Sequence, residues 1–77
     1  MPTLQIDKYK FRFYSSDRFE PPHVHVIRDD KVAKIWLRPV TLQYNRGYRS
    51  TELNTILRLT RENQSELLEA WYDYFSR

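Results

Sequence analysis

Both histidines of this chain sit two residues apart in Pro21-Pro22-His23-Val24-His25-Val26, directly after a rigid Pro-Pro corner. Strand side chains alternate with period two, so on a β-strand His23 and His25 share one face. Two imidazoles on one face can bind a metal, transfer protons or contact phosphate. An imidazole with an ordinary pKa near ~6.5 suits acid/base work at neutral pH. His23 and His25 are therefore the candidate catalytic pair, with Arg12, Lys34 or Arg46 to hold a phosphate and offset its developing charge. The competing reading is structural: one histidine hydrogen-bonds to the 15–22 loop and fixes the Pro-Pro corner. A tight metal site is not expected. Catalytic zinc takes three protein ligands, and no third ligand stands at an obvious spacing. Asp17 and Glu20 are the nearest carboxylates before the pair, and Asp29 and Asp30 follow it. No cofactor is expected.

The elements that position these residues are legible from periodicity. Leu4 and Ile6 suggest a short first strand. After a turn at Asp7-Lys8, residues 9–14 alternate: Tyr9, Phe11 and Phe13 face one way, Lys10, Arg12 and Tyr14 the other. Residues 15–22 read as a loop. The third strand runs from His23 to Arg28 with Val24 and Val26 inward. Asp29-Asp30-Lys31 is a polar hairpin turn. The fourth strand runs from Val32 to Leu37, with Ala33, Ile35 and Leu37 inward and Lys34 and Trp36 opposite. Val40 to Gln43 form a short fifth strand or an extended link.

Ser50 is the expected N-cap of a first helix, with Glu52 in its first turn and Leu53, Ile56, Leu57 and Thr60 on its inner face. Asn63-Gln64-Ser65-Glu66 reads as a capping-box variant for a second helix. Its inner face is Leu67, Leu68, Trp71, Tyr74 and Phe75, and Tyr72 falls off that stripe. The expected fold is a single α+β domain over residues 1–77. It has two layers: an antiparallel meander of three to five strands, then two C-terminal helices packed on one sheet face.

On the face turned from the helices, these assignments gather Lys10, Arg12, Tyr14, His23, His25, Lys34 and Trp36. Cations, imidazoles and aromatics together suit single-stranded nucleic acid, RNA or DNA, through phosphate contact and base stacking. The same face could also serve metal-free RNA cleavage, or a homodimer interface built on Trp36, Tyr14 and Ile27. Arg46, with Gly47 and Tyr48 just before the first helix, is a second candidate anion contact. Its alternative role is to tie down its own loop.

Composition narrows the classes further. The chain has 77 residues and no cysteine, which excludes disulfides, cysteine-based metal sites and a thiol nucleophile. Six Tyr, four Phe and two Trp offer the large buried areas that so small a domain needs. With a single glycine, tight turns at positive φ and phosphate-cradling loops are not expected, and Gly47 is the residue free to take such a φ. The net charge is +3 and uneven. The β-rich part, 1–49, is basic; the helical part, 50–77, is acidic. A polyanion or an acidic protein partner would suit that split. No apolar run could span a bilayer, and the start lacks the pattern of a signal peptide. The expectation is a cytoplasmic protein with no membrane partner.

Several segments together resemble the small prokaryotic family known as domain of unknown function 4160. They are Met1-Pro2-Thr3, Tyr9-x-Phe11-x-Phe13-Tyr14-Ser15, Pro21-Pro22-His23-Val24-His25-Val26, Ala33-Lys34-Ile35-Trp36-Leu37, Asn45-Arg46-Gly47-Tyr48 and Leu67-Leu68-Glu69-Ala70-Trp71-x-x-Tyr74-Phe75. The resemblance carries no established activity. It implies a component of a toxin–antitoxin-like two-gene module with a small cognate protein as partner. The motif positions are His23, His25, Lys34, Trp36 and Arg46. Phe19-Glu20 departs from the more polar loop expected before the prolines.

Overall fold

The computed structural model describes residues 3–76; Met1, Pro2 and Arg77 lie outside them. Alternating apolar and polar residues form five strands: β1 (Thr3–Ile6), β2 (Tyr9–Arg12), β3 (His23–Arg28), β4 (Lys31–Leu37) and β5 (Val40–Arg46). They make one sheet whose strand order is the chain order, with every neighbouring pair antiparallel. Two helices follow, α1 (Ser50–Glu62) and α2 (Gln64–Phe75). This is the expected α+β sheet with its C-terminal helical pair. Among the described residues no helix is long and apolar enough to cross a membrane.

One sheet face is the core. Tyr9, Phe11, Phe13, Val24, Val26, Ala33, Ile35 and Leu37 are buried there against Ile56, Leu59, Leu67 and Trp71 of the helices. Burying side chains of this size stabilises the fold by about 1.5–3 kcal/mol each. Trp71 meets Phe13 edge-on at 5.5 Å and Phe75 at 4.3 Å between ring centroids. The amphipathic spacing of α1 buries Ile56, Leu59 and Thr60, and leaves Leu53 and Leu57 at the margin.

Several local expectations need correction. Tight turns at positive φ do occur: Asp7 and Asp29, both at φ 57°, turn the β1–β2 and β3–β4 hairpins. Short acidic side chains tolerate the left-handed region better than most. Gly47 does take φ 101°, and a Cβ there would stand 2.9 Å from Lys31 Cγ. The fifth strand runs on to Arg46, through an irregularity in its pairing opposite Lys34 and Ile35. Ser50 is the first residue of α1, not its cap; the N-cap is Arg49, with no side-chain bond. Nor does Asn63 open a capping box. Its Nδ2 donates to Leu59 O at 2.8 Å, closing the end of α1 instead.

The 15–22 segment departs most from expectation. Ser15–Phe19 form a short 3-10 helix. Asp17 organises it at both levels: its amide donates to Tyr14 O at 2.9 Å, and its Oδ2 accepts the Tyr14 amide at 2.8 Å. That reciprocal pair turns the chain back over the start of β3.

Candidate functional site

Strand register assembles the open face in rows. Arg12, His25, Lys34 and Tyr44 face one another across β2 to β5. The next row is Lys10, Ile27, Val32 and Arg46, and His23 pairs with Trp36 and Thr41 at the other end. At about 4.8 Å per strand, Lys10 and Arg46 stand roughly 14 Å apart. Both are exposed, as is Tyr44. Arg12 Nε donates to Thr3 Oγ1 at 3.1 Å. The Arg46 side chain has no hydrogen bond or ion pair among the described residues; Asn45 and Tyr48 tie that loop, with amide-to-carbonyl bonds of 2.9 and 3.1 Å. Tyr14, His25, Ile27, Val32, Tyr44 and the Asp29-Asp30-Lys31 turn border a shallow depression of about 350 Å³.

The histidine end of the face is covered. His23 is fully buried, and only 12% of the His25 side chain is exposed. The 3-10 helix brings Asp17, itself buried, onto both imidazoles. Asp17 Oδ2 lies 3.2 Å from His23 Nε2 and 3.8 Å from His25 Nδ1. Neither nitrogen has a hydrogen-bond partner among the described residues. His23 Nδ1 lies 2.9 Å from Pro21 O, so His23 does hold the Pro-Pro corner. Rings enclose the pair: Tyr14 at 4.8 Å from His25, and Trp36 at 5.4 Å and Trp71 at 5.1 Å from His23.

The charges around the pair are matched. Lys34 Nζ donates to Glu20 Oε1 at 2.6 Å and lies 5.0 Å from the centre of the Trp36 ring. The Lys34 bond holds the Glu20 carboxyl below its ordinary pKa. Burial pushes His25 below the ordinary imidazole value, against the opposing pull of the Asp17 carboxylate. His25 thus favours its neutral form.

One ligand atom from each of Asp17, His23 and His25 lies within 4.8 Å of the others. Spacing in the sequence gives no hint of Asp17 as a third member, because the 3-10 turn and not a repeat delivers it. The one available signal is the Ser15-Ser16-Asp17 run of turn formers. Asp17 and Glu20 stand out in sequence only as the nearest carboxylates before the pair, and Tyr44 not at all. Tyr44 lies past the expected end of the fifth strand.

A family model described as Domain of unknown function (DUF4160) matches residues 9–72, from the start of β2 into the last turns of α2. The chain belongs to this family. The stretch matched by DUF4160 holds the two histidines, Asp17 and the strand rows on either side of them. Searches of the curated proteins and of the solved structures found no match. DUF4160 therefore names a relationship and no chemistry, and the functional reading rests on the geometry.

Proposed function

We propose that this DUF4160 chain is a binding module whose open sheet face takes single-stranded RNA. On this reading it works beside a small cognate protein in a toxin–antitoxin-like pair. The cross-strand rows carry the proposal. Lys10 and Arg12 on β2 and Arg46 on β5 offer positive charge on this face, and Tyr14 and Tyr44 border its shallow depression with aromatic surface. Lys34 is committed to Glu20. Backbone charge with stacking surface is the usual combination for single strands.

Burial favours binding over catalysis. Acid/base work on an outside substrate needs both imidazoles within reach, and His23 is fully enclosed.

Fluorescence anisotropy of a short labelled oligoribonucleotide tests the reading across a salt series. Three phosphate contacts predict that log K falls with log salt at a slope of about −2. Replacing both Lys10 and Arg46 by alanine should weaken binding and flatten that slope by about 1.4. Absence of binding at low salt, or binding indifferent to salt, would sink the proposal. RNA cleaved by the wild type and spared by His25→Ala would replace it with the enzymatic reading.

A further inference from the structure

The buried nitrogens beside Asp17 present a problem of hydrogen-bond chemistry. A backbone carbonyl only accepts, so at Pro21 O the proton belongs to His23 Nδ1. The other ring nitrogen, Nε2, is buried without a hydrogen-bond partner and lies 3.2 Å from a carboxylate oxygen of Asp17. His25 Nδ1 is buried and unpartnered 3.8 Å from that same oxygen. Three ligand atoms within 4.8 Å of one another, two of them buried ring nitrogens without a hydrogen-bond partner, are suited to sharing a cation.

We propose that Asp17, His23 and His25 bind one divalent transition-metal ion of the zinc class. Bonds of about 2.0–2.2 Å to a shared ion place its ligands about 3–3.5 Å apart. The separations of 3.2 and 3.8 Å from Asp17 Oδ2 lie close to that, and the three ligand atoms, all within 4.8 Å of one another, draw together to meet it. Imidazole donors select zinc, cobalt or nickel over magnesium and calcium, which take oxygen. Outer contacts of the usual kind are present. Pro21 O fixes the His23 ring and its tautomer, and the Tyr14 amide orients the carboxylate at 2.8 Å. Lys34, which would repel an ion, is turned to Glu20. The ion would clamp the 3-10 helix to β3. Its role is structural, because Trp36 and Trp71 close in on His23.

The test uses untagged full-length protein, stripped with a chelator and titrated with Zn²⁺ and Co²⁺, with Mg²⁺ as control. The expected result is one equivalent of Zn²⁺ or Co²⁺ bound, a thermal midpoint that rises with metal concentration, and visible Co²⁺ absorption bands. Mg²⁺ should do none of these. Asp17→Asn and His25→Gln should each weaken Zn²⁺ binding by at least about tenfold, the lower bound for losing even an outer partner. Circular dichroism reports whether each variant folds, and the wild-type titration decides the matter if one does not. No stoichiometric Zn²⁺ or Co²⁺ uptake by the wild type overturns the site. So does uptake undiminished in both folded variants.

Discussion

Two carboxylates in this molecule stand at the centre of small polar clusters, and they are treated in opposite ways. Glu52 joins α1 to the helix-covered side of the sheet. Its Oε2 accepts Tyr9 Oη–H at 2.7 Å and Arg28 Nη1–H at 2.6 Å, so each group meets a complementary one. Asp17 joins the 3-10 helix to the opposite side. Its Oδ2 accepts one backbone amide and faces two ring nitrogens, at 3.2 and 3.8 Å, that form no hydrogen bond with it. Every contact of the Glu52 oxygen is a hydrogen bond, whereas the two imidazole contacts of the Asp17 oxygen are not. The Glu52 contacts are shorter and more exposed than those of Asp17 with the imidazoles, and only the Glu52 side-chain partners are hydrogen-bonded to their carboxylate.

The comparison can be broken most forcefully at Trp71, which ties the histidine end to the helical layer through Phe13, His23 and Phe75. Trp71→Ala should cost about 3–5 kcal/mol in urea unfolding. A near wild-type midpoint would mean that the helices do not hold that end.

The Glu52 cluster comes next. Tyr9→Phe should cost about 1 kcal/mol, the net worth of one hydrogen bond. Glu52→Ala should cost more, since it strands both the buried hydroxyl and the guanidinium. The cluster also sets a pH signature. The Tyr9 bond, with help from Arg28, holds the Glu52 carboxyl below its ordinary 4.5. That stability is complete above pH 4.5 and is lost as pH falls through the lowered folded value. Burial, then the Glu52 bond, pushes Tyr9 from 10.0 up to about 12. Its contribution is complete below pH 10 and is lost as pH rises toward 12. Tyr9→Phe should weaken both limbs of a stability–pH profile. Part of the alkaline limb should survive, because burial also raises Tyr48 to about 12.

Asp17→Asn should have the smallest effect. In metal-free protein it should shift stability by less than about 1 kcal/mol, because the amide adds a donor beside two unpartnered ring nitrogens. A cost equal to that of Glu52→Ala would show that the Asp17 cluster is already complete.

Much of the fold was legible because its strands alternate cleanly. Tyr9-Lys10-Phe11-Arg12 and Val24-His25-Val26 each specify which side chains turn inward, and the observed burial follows them. Helix spacing likewise exposed the inner stripe of Leu67 and Trp71. The cover over the histidines was not legible. A single 3-10 turn has no apolar period, and its direction depends on where one carboxylate finds an amide. Helix caps failed for a related reason. Ser50 and Asn63 suit a cap by residue type, but Asn63 bonds back to Leu59 O and the N-cap of α1 falls at Arg49, while Glu52 stands in the first turn as expected. Arg46 and Tyr44 depended on the length of β5, which polar residues beyond Gln43 disguised.

The strand order has a kinetic meaning. Each strand pairs with the one made just before it, so the sheet can grow by successive hairpins with little loop-closure cost. The longest link between strands, Phe13 to Pro22, is the segment that then folds back over the histidines. Distant search is left to the helical pair, where Glu52 must find Tyr9 across 43 positions. In a chain of this kind the sheet is built from neighbours in sequence, and the core is closed by helices that follow it.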